Sequence, residues 1–413
     1  MEMQRIENAL WGLFAADALA MPAHWYYSLE HLERDFAGGV SKYQNPPHPH
    51  PDSFMVGSDY LPDVDRAREL GRPYDILHDN ARFYRTNYAS TTFERSERET
   101  EHGNLVPRLE ERHHYHHGLQ AGENTLGAHL VRVLMRSCLD KGVYEPEGFL
   151  QGFVEHLTTP GRNRDPYTEI YVRRWFENYS RGVDPKRCAA LQREVWSIGS
   201  MGGVVRPLVT SLLAKCSYQG TGMALGHQNL THRSENVACA LHVLVDLLFD
   251  LLTGSHPSDA LSRHAARVRE PEITGKELQQ RYKDADGPGN IPGKAMWRLH
   301  TELKPEPFDL DSVAGLPESE VIQKRFATAC YPEHGLPLVF YFARRHQDDV
   351  EQALLANANA GGDNVHRGMI LGMVAGAASD SFPEHLKQGL QAYDQLKEEI
   401  AAFTVLAMSG KGL

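Results

Sequence analysis

Four short polar clusters interrupt long apolar stretches of this sequence, and each carries residue types able to do chemistry. The last of them, Asn357 to Gly368, reads Asn-Ala-Asn-Ala-Gly-Gly-Asp-Asn-Val-His-Arg-Gly. A glycine pair followed at once by Asp363, Asn364, His366 and Arg367 is uneconomical as mere surface and reads as a tight turn that presents a site. Asp363 is the candidate carboxylate of that site. His366, whose ordinary pKa lies near neutrality, is a candidate proton donor. Arg367 could hold an anionic group through paired hydrogen bonds, and Asn364 a polar one. In mid-chain, Gly122-Glu123-Asn124-Thr125 precedes an apolar stretch with helical spacing. That step sets a carboxylate, an amide and a hydroxyl at a helix N-terminus, where plain capping is the alternative role. Glu123 and Asp363 are the candidate carboxylates of these two clusters, with Asn124 beside the first.

The other two clusters are supporting candidates. Asp17 falls on the apolar stripe Ile6, Ala9, Leu10, Leu13 and Phe14, where an unpaired carboxylate would be costly. It reads as a ligand contact or as a buried cap. His24 precedes Trp25-Tyr26-Tyr27 and could stack on or hydrogen-bond a ligand, or simply fill the core. In the loop Thr159 to Glu169, Asn163 and Asp165 could address a ligand hydroxyl. Asp165-Pro166 alone would read as an N-cap followed by proline at the first helical position. A further run, His113-His114-Tyr115-His116-His117, suggests metal, but neighbouring residues do not face one way on a helix. No second ligand pair stands at zinc-like spacing.

Helices must position these groups. Periodicity of 3.6 predicts them over 4–20, 125–140, 146–157, 167–181, 200–214, 233–253, 257–270, 273–284, 318–329, 335–346, 348–358, 364–379 and 384–408. Strands are scarce, and 40–122 reads as a loop-rich insertion within a single domain spanning 1–413. An excess of 54 acidic over 43 basic residues, for a net charge of −11, argues against a nucleic-acid binder. No apolar run approaches the ~18 residues of a membrane span, and no signal peptide is visible. Five cysteines without a CxxC pair read as thiols of a reducing compartment, which makes cytoplasm the expected location.

With these clusters in view, the chain resembles the ADP-ribosylglycohydrolase family, and within it the branch holding the J-class crystallins and a related selenoprotein. The resemblance rests on Gly12-Leu13-Phe14-Ala15-Ala16-Asp17-Ala18-Leu19, on Glu123-Asn124-Thr125, on Leu230 to Asn236 and on Gly361-Gly362-Asp363. It implies an all-α orthogonal multi-helix bundle and hydrolysis of a ribosyl bond with two magnesium ions in a central cleft. The family's Thr-Asp-Asp pattern falls on Gly122, Glu123 and Asn124, and its Gly-Gly-Asp-x-Asp-Thr pattern on Gly361 to His366. One carboxylate survives in each, Glu123 and Asp363, while Asn124, Val365 and His366 replace the rest. Since magnesium wants oxygen ligands, the expectation is one weak ion on Glu123 and Asp363, or none. The resemblance thus implies a hydrolase for a ribosyl-type small molecule with a reduced or absent magnesium site. In such an enzyme Glu123 and Asp363 would be the carboxylate pair around an oxocarbenium-like transition state, with Asp363 activating water or stabilising the sugar cation. His366 would protonate the leaving group, Arg367 would bind a phosphate or carboxylate, and Asn124 and Asn364 would hold sugar hydroxyls. The alternative is a non-catalytic binder or a crystallin-like structural protein.

Overall fold

Two helices from opposite ends of the sequence, Met3–Ala20 and Asn364–Ala378, lie against one another along most of their length. Glycine makes that approach possible. A β-carbon on Gly12 would run into the backbone carbonyl of Gly372, and one on Gly372 into that of Gly12. Both helices are almost wholly buried, so neither needs a polar face. The structure, a computed structural model, describes residues 1–89, 97–99, 105–285, 287, 291 and 293–410.

Around this central pair pack Leu126–Lys141, Gly202–Ser211, Glu235–Leu252, Pro332–Arg345, Val350–Asn359 and Tyr393–Ser409. The architecture is all-α. The strands among the described residues are short and form two antiparallel pairs, Glu97–Glu99 with Leu105–Pro107 and Arg269–Pro271 with Leu303–Pro307. No helix of the described residues is long and apolar enough to cross a membrane.

Most expected helices are present, and the differences have local causes. The span 384–408 is two helices, Glu384–Gln388 and Tyr393–Ser409, because the chain between them turns onto Gly122, whose carbonyl accepts from Gln391 N. The span 318–329 is cut to Glu318–Val321. Helices Ser217–Gln228 and Gly293–Thr301 were not expected, their sequences being rich in glycine or polar residues. Within the 40–122 stretch, residues 90–96 and 100–104 lie outside those described, as do 286, 288–290 and 292 further along the chain. The described part of the stretch is mostly irregular, yet it sends Met55, Tyr60, Ile76, Leu77, Tyr84 and Tyr115 into the core.

Candidate functional site

The glycine pair of the last cluster sets the geometry of the centre. Gly361 and Gly362 adopt φ of 63° and 62°, a left-handed turn open to glycine. Gly362 exchanges backbone hydrogen bonds with the 25–26 segment, and Asp363 N donates to Thr328 O at 2.9 Å. Asp363 thereby becomes the N-cap of the Asn364–Ala378 helix, accepting from His366 N, and its carboxylate is held in the interior.

From Asp363 a continuous row of imidazoles and carboxylates runs in both directions. In one direction, His366 Nδ1 lies 2.7 Å from Asp363 Oδ1 and His366 Nε2 lies 3.1 Å from Glu169 Oε1. In the other, His24 Nε2 stands 3.3 Å from Asp363 Oδ1, and His24 Nδ1 stands 2.7 Å from His116 Nε2. His116 Nδ1 then faces both oxygens of Asp165, at 2.9 and 3.0 Å. Asp165 finally accepts the amide of Leu126, at 2.8 Å, and so caps the Leu126–Lys141 helix from a distance. All members but Glu169 are buried; its side chain is 17% exposed and is the outer end of the row.

Proton bookkeeping follows from the chemistry of these groups. The row has five links, and three neutral imidazoles supply only three N–H groups, so two further protons, on rings or on carboxyls, are needed if every link is a hydrogen bond. Burial drives His24 down to about 3, against the pull of Asp363, so His24 is the neutral ring. With its Nε2 proton directed at Asp363, His24 is left to accept at Nδ1 from His116 Nε2. Burial also opposes the charge on His366, but Asp363 and Glu169 outweigh it and raise this ring well above its ordinary value. Conversely, burial would raise the Asp363 carboxyl, yet the His366 charge and the bonds from His24 and His366 hold it well below the carboxylate range.

Asp17 anchors the neighbouring wall. It accepts from Asn124 Nδ2 at 2.9 Å, from Thr125 N at 2.8 Å and from the Thr125 hydroxyl at 2.6 Å, while Asn124 also donates to Phe14 O. Burial raises the Asp17 carboxyl despite these bonds. The Leu126 helix thus starts on two carboxylates borrowed from elsewhere in the chain, which complement its positive end. Trp25 closes the inner side. Its φ of 61°, a left-handed conformation that costs a non-glycine residue ~1–2 kcal/mol, accompanies stacking on His24 with centroids 4.1 Å apart. Tyr115 and Tyr167 pack edge-on against its ring.

The structure therefore brings Asp17, His24, Asn124, Asp165, Asp363 and His366 into one centre, with Asn163 bracing Asp165 through a reciprocal side-chain-to-backbone pair. Three expected residues are spent elsewhere. The Glu123 carboxylate binds Arg164 at 2.7 Å and the Gln120 amide, at the partly exposed edge rather than beside Asp363. The Arg367 guanidinium is buried and clamps Asn357 and the Gly361 carbonyl, bracing the glycine turn instead of facing a ligand. Asn364 donates to Ala358 O and also serves that turn. Asp165 is no N-cap of the helix that follows it, which opens at Ile170 with Glu169 in the cap position. His116, Thr125 and Glu169 are members that sequence reasoning passed over. The signal for Glu169 was its place just before the Ile170–Ser180 helix, and for His116 the histidine run itself.

Two groups of side chains among the described residues could hold a metal ion by the proximity of their ligand atoms: His24 with Asp363 and His366, and His48 with His113 and His117. In the first, the near atoms are already joined by hydrogen bonds to one another or to Glu169, and Asp363 Oδ2 is the one without a partner.

The family model described as ADP-ribosylglycohydrolase matches residues 2–411. Among solved structures, one titled "ADP-ribosylglycohydrolase-related protein complex" is similar at 16% identity and a TM-score of 0.53, covering 98% of this chain and 99% of that one. At that identity the likeness speaks for the fold alone. A comparison with curated proteins finds no match. The match over nearly the whole length decides the matter: this chain belongs to the ADP-ribosylglycohydrolase family.

Proposed function

We propose that the protein hydrolyses a glycosidic bond in a ribosyl-type small molecule, of the ADP-ribosyl kind its family name describes. The observation that carries this reading is the His366 imidazole held between Asp363 and Glu169, one carboxylate buried and the other reaching the surface. The residues at the outer end are small where it matters. A β-carbon on Gly202 would lie 3.0 Å from a Glu169 oxygen and 3.3 Å from His366 Nε2, and one on Gly127 would lie 3.6 Å from the same nitrogen. Glycine at both places keeps side chains off the outer end of the row, between two helix starts.

The expected roles shift accordingly. His366 remains the general acid: its Nε2 proton goes to the leaving atom as the bond from the anomeric carbon breaks. Glu169, not Glu123, then takes a proton from the water whose oxygen bonds to that carbon. Returning this proton to His366 Nε2 resets the pair. Asp363 is a positioning residue that sustains the imidazolium charge, since its enclosed carboxylate acts through His366.

Magnesium, which the family resemblance implies, does not fit this donor set. Both Asp17 oxygens receive Asn124 and Thr125, both Asp165 oxygens receive protein donors, and Asp363 offers Oδ2 beside two imidazoles. Val365 supplies no oxygen, and hard cations prefer oxygen ligands. No step is routed through the metal.

The test is a panel of ribosylated small molecules followed by chromatography for released ribosyl product. Glu169→Gln should lower turnover by ~10²–10⁴-fold, the usual loss for a general catalyst, and chelator should leave wild-type turnover unchanged. Turnover that needs magnesium, or a Glu169→Gln variant as fast as wild type, overturns the assignment. The burial of His24, Asp363 and His366 favours a second reading, a crystallin-like protein without catalysis. Failure of every ribosyl compound to bind or react would make that the better account.

A further inference from the structure

The histidine run has two sides. His114 and His116 turn inward, to Pro22 O and to Asp165, while His113 and His117 stay half-buried on the outer side. The proline-rich segment beside it alternates in the same way. His50 is buried with its Nε2 on His24 O, and His48 is exposed. The two segments are tied together by His50 N donating to Arg112 O at 2.8 Å. That pairing delivers a third outer histidine to the two that the run contains, the ligand that sequence spacing alone did not reveal.

From this convergence we propose that His48, His113 and His117 form a binding site for a zinc-class divalent cation, separate from the buried row. Their ligand nitrogens all lie within 4.8 Å of one another. The rings are mutual neighbours, with centroids 4.7 Å apart for His48 and His113, 4.9 Å for His113 and His117, and 5.5 Å for His48 and His117. Phe83 packs against the His113 and His117 rings from behind.

The surroundings leave ligand atoms open. Among the described residues, no carboxylate ion pair or hydrogen bond occupies these three rings, unlike every imidazole of the buried row, and His113 Nδ1 has no partner. Zinc binds imidazole nitrogens at ~2.0–2.1 Å and takes three protein ligands with water in the fourth place. At those bond lengths a tetrahedral ion needs its nitrogens ~3.3 Å apart, so the three rings would close in from their present separation of up to 4.8 Å. The Arg82 charge, felt by both His113 and His117, opposes the cation, and the Glu111 carboxylate near His113 favours it.

The experiment uses tag-free full-length protein, titrated with zinc chloride against a chromophoric chelator and with cobalt chloride for its visible absorption. One equivalent should bind, with a cobalt spectrum of tetrahedral type. His48→Gln and His117→Ala, both in partly exposed positions and each checked for native circular dichroism, should each weaken binding by more than the ~10–100-fold that outer-shell changes cost. His366→Gln should leave it intact. Binding lost in His366→Gln but kept in the other two would move the ion to the buried row and overturn the proposal. So would an absence of stoichiometric binding by the wild type.

Discussion

The same two segments, 46–53 and 112–117, present histidines inward and outward, and the two faces do opposite things with one side chain. Inward, His116 finds Asp165 and meets His24, which in turn finds Asp363, so each nitrogen of these two rings has a hydrogen-bond partner. Outward, His48, His113 and His117 meet mainly each other and an aromatic ring. Carboxylate company decides whether a buried or half-buried imidazole serves as a proton carrier or keeps a lone pair for a cation. Counting histidines in the sequence does not separate these cases; the neighbours do.

The contrast can be broken most forcefully at the anchor of the inner face. Asp17→Ala strands the Thr125 hydroxyl, the Thr125 amide and the Asn124 amide in the interior. At ~1–3 kcal/mol for each unsatisfied group, denaturant unfolding should show a loss of at least ~3 kcal/mol. Asp17→Asn keeps one oxygen and should lose less. His48→Gln on the outer face should stay within ~0.5 kcal/mol of wild type, as surface changes do. Equal losses at the two sites would erase the distinction.

Acid unfolding sharpens the comparison next. His24, His300 and His334 are each pressed by burial down to about 3, whereas in the unfolded chain each titrates near ~6.5. The unfolded state therefore binds more protons between those values. Stability rises with pH across that window and is lost as pH falls below ~6.5, by up to ~1.4 kcal/mol per pH unit for each ring. His366 has the opposite sign. Its raised value stabilises the fold below ~6.5, and that contribution disappears as pH climbs through the folded value. Urea midpoints measured from pH 4 to 10 should thus fall on the acid side, and His366→Gln should flatten the alkaline limb. An acid limb that is flat in wild type would contradict the neutral assignment of the buried rings.

The smallest effect is expected at Glu123. Its partner Arg164 is largely exposed, and exposed ion pairs contribute ~0–1 kcal/mol. Glu123→Gln should keep near-wild-type stability and, with a substrate in hand, near-wild-type turnover. A loss comparable to that of Glu169→Gln would return Glu123 to the reaction.

Much of this centre was legible before the fold was known, and the reasons are local. Asp17 on an apolar stripe and Asp363 after two glycines each violate the pattern around them, and both lie in the centre. The helix starts at Leu126, Glu235 and Asn364 followed from capping residues and periodicity. What escaped was pairing across sequence distance. Thr125 looks like a cap but donates its hydroxyl to Asp17, and Asp165 looks like the cap of its own helix but serves another. Glu123 and Glu169 are both glutamates at helix starts, and the presence of Arg164 beside one and His366 beside the other is a matter of tertiary packing. The match of His48 to His113 and His117 was hidden for the same reason.

The glycine seam between Met3–Ala20 and Asn364–Ala378 also governs when this centre can exist during synthesis. The helix carrying Asp17 leaves the ribosome long before its packing partner. Contacts of such long sequence separation form slowly, and exposed apolar surface invites association meanwhile. Until the Asn364 helix arrives, the first helix has no matching groove, and neither Asp363 nor His366 is present to complete the row. Until residue 378 has been made, a nascent chain therefore keeps that apolar surface uncovered, and truncation before it removes the centre together with the fold's spine.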